Sequence, residues 1–118
     1  MRFEITLDCP DPGALATFWA AAVHAERIEH DEPDGRYVTV HPPAGDGLCP
    51  IVLQRVPEPK QGKSRVHLDV YVDDLEAETD RLVALGATPV GSGPFAESGE
   101  TWVVLADPAG NEFCVCRR

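Results

Sequence analysis

Three short stretches of the chain space chemically capable side chains two residues apart. Glu4, Thr6 and Asp8 form one set, Arg65, His67 and Asp69 a second, and Glu112, Cys114 and Cys116 a third. In an extended chain alternate residues point to the same side, so each set would present its groups to a common face. Carboxylate, imidazole and thiolate all ligate zinc, and three such ligands leave a position open for water or substrate. Glu4, His67 and either Cys114 or Glu112 would make that set, the thiolate favouring softer metals. The same residues support an inert reading. Glu4 then pairs with Arg65 or His67, and Cys114 is a small buried hydrophobe.

Arg65, with Lys60 and Lys63 close by, stands out in an acidic chain. A guanidinium suits a ligand carboxylate or phosphate, or an internal ion pair. Tyr37 and Trp102 open two strand-like runs, where an aromatic side chain either stacks on a planar ligand or packs against its neighbours. Glu4 or Glu112 could abstract a proton if desolvated. The sequence has no Gly-rich phosphate loop, no Walker motif and no nucleophile elbow.

The elements that must carry these residues are legible. Phe3, Ile5 and Leu7 alternate with the first polar set, as in a strand with one packed face. Asp11-Pro12 starts a helix, with Leu15, Phe18 and Trp19 on its apolar stripe. Strands are expected over 27–30, 37–40 and 51–56, with a turn at 32–35. A connector rich in Pro, Gly and charge covers 57–64. The pattern then restarts. Val66, Leu68 and Val70 alternate with the second polar set, Asp73-Asp74 caps a helix carrying Leu75, Leu82 and Leu85, and Gly86 ends it. Weak strand 87–90, a loop from Gly91 to Gly99, strand 101–106, a turn at 107–111 and strand 112–116 complete the chain. The Gly-containing loop 91–99 is either a cover for a site or an ordinary loop.

The halves match each other: Asp11 with Asp74, Glu4 with His67, Tyr37 with Trp102, and Pro43-Ala44-Gly45 with Pro108-Ala109-Gly110. This is an internal duplication. It implies one domain over 1–118, with repeat one at 1–56, linker 57–64 and repeat two at 65–118.

A length of 118 residues suits one compact domain. The net charge of -10 disfavours nucleic acid and anionic membrane as partners. No apolar run approaches the ~20 residues of a membrane span, and the first residues read as a strand rather than a secretory signal. A cytoplasmic protein with reduced thiols at Cys9, Cys49, Cys114 and Cys116 is expected.

Three segments resemble the glyoxalase, bleomycin-resistance and extradiol-dioxygenase (vicinal oxygen chelate) superfamily, in its glyoxalase-like branch. They are D-P-G-A-L-A-T-F-W at 11–19, K-S-R-V-H-L-D-V at 63–70 and D-P-A-G-N-E-F-C-V at 107–115. The resemblance implies an α+β fold of two βαβββ repeats, whose eight strands curve into a cup-shaped mixed sheet with the helices outside. It also implies a small-molecule ligand on the concave face and a homodimer. In metal-using members one residue from each of four strands holds a divalent ion such as zinc, nickel, manganese or iron. The corresponding places here are Glu4, the stretch around Gln54, His67 and Cys114. His67 is the usual type; Glu4 stands where His or Gln is common, and Cys114 where Glu is common. Two functions follow. One is metal-free binding of a small aromatic molecule with Gln54, Arg65, Tyr37 and Trp102 as contacts; the other is a divalent-metal-dependent lyase or isomerase of the glyoxalase type.

Overall fold

The computed structural model describes residues 1–31 and 33–118; Glu32, in the turn expected at 32–35, lies outside the described residues. The chain divides into two compact units, Met1–Pro59 and Lys60–Arg118, and the boundary falls within the expected connector.

In the first unit the elements run β1 (Ile5–Cys9), α1 (Pro12–Ala22), β2 (Arg27–His30), β3 (Tyr37–His41) and β4 (Ile51–Arg55). Helix α1 starts where the Asp11 carboxylate accepts from the Ala14 N–H at 3.1 Å, with proline in its first turn. Both features satisfy or remove N–H groups that lack helical partners. The sheet order is β1-β4-β3-β2. β1 and β4 are parallel, with Ile5 opposite Ile51 and Asp8 opposite Gln54, and the other pairs are antiparallel. Helix α1 packs on β3 and β4. Leu15, Phe18 and Trp19 from the helix and Val38, Val40 and Leu53 from the sheet form the core.

The second unit repeats this order. It runs β5 (Leu68–Tyr71), α2 (Leu75–Leu85), β6 (Thr88–Pro89), β7 (Phe95–Glu97), β8 (Glu100–Ala106) and β9 (Glu112–Arg117). Asp74 caps α2 by accepting from the Ala77 N–H at 3.0 Å. Gly86 closes the helix at φ 122, in the left-handed region that glycine enters without a Cβ penalty. The sheet order is β5-β9-β8-β6, with β7 paired to β8. β5 and β9 are parallel, as β1 and β4 are in the first unit. The fold is therefore mixed α+β, with a four-stranded and a five-stranded sheet and two helices. Among the described residues the strands number nine rather than eight. The extra one, β7, falls inside the stretch expected to be a loop, where three residues pair with β8 and add a rung to the sheet. No helix among the described residues is long and apolar enough to cross a membrane.

The turn from β8 to β9 is built around one carboxylate. Asp107 is buried and its Oδ1 accepts from the N–H groups of Ala109 (2.9 Å) and Asn111 (3.0 Å). The Asn111 side-chain amide donates to Oδ2 at 3.3 Å. This fixes where β9 begins, and hence which of its residues face which side.

Candidate functional site

The five-stranded sheet has two distinct faces. Phe113, Val115 and Leu105 lie on one side and are buried, with α2 packed on β9. The other side follows from register. Asp69 lies opposite Cys114, which lies opposite Val104; Tyr71 lies opposite Cys116, which lies opposite Trp102. Directly paired residues share a face, so thiols, carboxylate and indole stand together. They line a cavity of about 790 Å³ that belongs to the second unit.

Just ahead of β5, the His67 ring lies near Asp69 and Cys114. Its Nδ1 lies 3.2 Å from Asp69 Oδ1 and 4.0 Å from Cys114 Sγ. The donor atoms of His67, Asp69 and Cys114 all lie within 4.8 Å of one another. Zinc bonds of about 2.0–2.3 Å join tetrahedral donors roughly 3.3–3.8 Å apart, so the N, O and S donor set suits a zinc-like ion, His67 and Asp69 are close to that spacing, and Cys114 would have to move inward to complete it. Burial, and after it the Asp69 carboxylate, pushes the Cys114 thiol up to about 11. A bound cation reverses that preference and takes the thiolate. The Cys116 thiol is also raised, first by burial and then by Asp69.

Of the expected metal set, His67, Cys114 and Glu112 belong to the second unit. His67 and Cys114 meet, and Asp69 joins them. Glu112 lines the same cavity, but its carboxylate accepts from the Ser64 N–H and from Lys60 Nζ, each at 3.1 Å. Those bonds, the Ser64 N–H first, hold it below the usual carboxylate range. Glu4 belongs to the first unit, where its carboxylate accepts from Arg2 at 2.7 Å. Within the second unit His67 pairs with Asp69, the residue two along.

Of the expected ligand contacts, Trp102 lines the cavity, with its ring centroid 5.9 Å from that of Phe95. Arg65 is exposed and forms no ion pair among the described residues. Tyr37 and Gln54 lie in the first unit, opposite each other on β3 and β4, and the Gln54 amide donates to the Tyr37 hydroxyl at 3.3 Å. Asp69, Phe95, Glu97 and Glu100 also stand on the cavity wall, and no sequence motif marks them as site residues. Asp69 was visible as a face-sharing neighbour of His67. The other three had a fainter signal, the Ser98-Gly99 dipeptide between two short runs, which is hairpin chemistry.

The Glyoxalase-like domain family matches residues 4–116. No curated protein matches the chain. Among solved structures, the fosfomycin resistance protein FosX from Listeria monocytogenes superposes with a TM-score of 0.75 at 18% identity, covering 98% of this chain and 88% of its own. A glyoxalase/bleomycin resistance protein/dioxygenase family enzyme from Burkholderia phytofirmans PsJN gives 0.73 at 17% identity, covering 97% and 95%. TioX from Micromonospora sp. ML1 gives 0.67 at 18% identity, covering 99% and 98%. At these identities the likeness shows a shared fold, and the family match spans nearly the whole sequence. The chain belongs to the Glyoxalase-like domain family.

Proposed function

We propose that this protein binds a small organic molecule in the cavity of its second unit, with a flat apolar part against Trp102 and Phe95 and a polar part toward His67 and Asp69. The observation that carries this reading is the cavity itself. At about 790 Å³ it falls within the roughly 300–1,000 Å³ of small-molecule sites, and it joins an apolar wall to a few convergent polar groups. Trp102 is half-buried and supplies a large contact surface with little rotamer freedom to lose. The test is a ligand-observed NMR screen of aromatic fragments against the native protein and Trp102→Ala. Hits that vanish in the variant support the reading. Hits that bind both proteins equally would move the site elsewhere.

A second reading is favoured by the His67, Asp69 and Cys114 donors. These three residues would hold a divalent ion, which when bound polarises a ligand carbonyl, as a lyase or isomerase requires. His67 and Asp69 already orient each other. Glu112, held below the usual carboxylate range, is a weak base, so proton transfer would fall to another group.

A further inference from the structure

The cavity has a second wall, made by the hairpin of β7 and β8. Ser98 and Gly99 both have positive φ, 52 and 81, and form its two-residue turn. That turn sets Glu97 directly opposite Glu100, and Phe95 opposite Trp102. Alternate strand residues share a face, so an aromatic rung and a carboxylate rung follow one another on the same side. All four residues line the cavity.

Like charges placed directly opposite destabilise a hairpin. Glu100 is answered in part: it accepts from Arg118 Nε at 3.1 Å and from the Tyr71 hydroxyl at 3.0 Å. Glu97 is exposed and forms no ion pair among the described residues. Lys63, the one lysine among the described residues that line the cavity, is near enough to Cys114 to favour its thiolate. A flat ring beside two carboxylates is the complement of a planar cation. The ring contributes stacking and cation–π attraction, and the carboxylates contribute charge.

Resting on the binding reading above, we propose that the cavity selects planar aromatic ligands carrying a positive charge of the amidinium or protonated-amine kind, with the charged end at Glu97 and Glu100. The probes are three molecules of one shape: 2-naphthamidine, 2-naphthamide and 2-naphthoate. Their affinities are measured by titration while the Trp102 indole N–H is followed by NMR. The amidine is expected to bind about threefold to tenfold more tightly than the amide, an exposed ion-pair effect plus cation–π attraction. That margin should shrink in Glu97→Gln and close in Glu97→Gln/Glu100→Gln, through a loss of amidine affinity larger than any change for the amide. Amide or naphthoate binding as tightly as the amidine would overturn the charge preference and leave the binding reading standing. If none of the three shifts Trp102, both fall.

Discussion

Cys114 Sγ lies 4.0 Å from Nδ1 of His67, though the residues are 47 positions apart. The contact follows from the parallel pairing of β5 with β9, which sets Asp69 opposite Cys114 and brings the His67 ring, paired with Asp69, near the thiol. A carboxylate thereby comes into a site that the family pattern would furnish from four separate strands.

This geometry predicts metal binding within the second unit. Cobalt(II) added to the reduced protein should bind near one per chain and give a thiolate-to-metal charge-transfer band. Cys114→Ser should remove the band, and His67→Ala or Asp69→Asn should weaken binding about 10-fold or more, as loss of a ligand commonly does. Retention of the band in Cys114→Ser would place the thiolate elsewhere; absence of binding to the native protein would sink the metal reading.

The raised Cys114 thiol sets an alkaline dependence of stability. The thiol ionises near 9 in an unfolded chain but at about 11 in the folded protein. Between those values the unfolded state has lost a proton that the folded state keeps, so stability falls as pH rises from about 9 to about 11. Urea melts across this range should show a shallower decline in Cys114→Ala than in the native protein. At pH 8, iodoacetamide should label half-buried Cys49 before Cys114 and Cys116, which mass spectrometry of the peptides resolves. Labelling of Cys114 ahead of Cys49 would contradict the burial argument.

Much of this was legible in the sequence, because local rules decide it. The helices start where Asp11 and Asp74 say they should, and the alternation at 66–70 correctly put His67 and Asp69 on one side. Two things were not legible. The three-residue strand at Phe95–Glu97 is too short to show a period and sits among Gly, Pro and Ser, so the carboxylate and aromatic rungs stayed hidden. The meeting of Cys114 with His67 depends on strand register, which side-chain pattern restricts to a face but not to a partner. Gln54 illustrates the same limit: its place on β4 was expected, but its bond to Tyr37 required the pairing of β3 with β4.

Glu112 predicts the opposite pH behaviour from Cys114. Its carboxyl is held below the ordinary value of 4.5 by the Ser64 N–H and then by Lys60. It contributes stability that is present above that ordinary value and is lost as pH falls through the lowered one. Glu112→Gln should destabilise the protein by about 1–2 kcal/mol at pH 7, since a charged acceptor is replaced by a neutral amide. The difference should disappear at the acid end of a series of urea melts. A constant difference at every pH would mean that packing, not charge, anchors this residue.

Asp107 should be far more costly to remove, although it is not among the residues that line the cavity. It is 2% exposed, and its carboxylate satisfies two backbone N–H groups and the Asn111 amide. Asp107→Ala leaves those donors without their acceptor inside a tight turn, a loss of about 2–4 kcal/mol. Gly110, at φ 89 in the same turn, provides a graded comparison: Gly110→Ala strains the backbone for about 1 kcal/mol. Because this turn sets where β9 starts, Asp107→Ala should also weaken cobalt binding at Cys114, through loss of register rather than loss of a ligand. Stability from urea melts and the cobalt band should therefore fall together in Asp107→Ala. In Cys114→Ser the band should vanish with a stability change under about 1.5 kcal/mol. If Asp107→Ala unfolds earlier but binds cobalt with native affinity, the turn does not govern the register of the site.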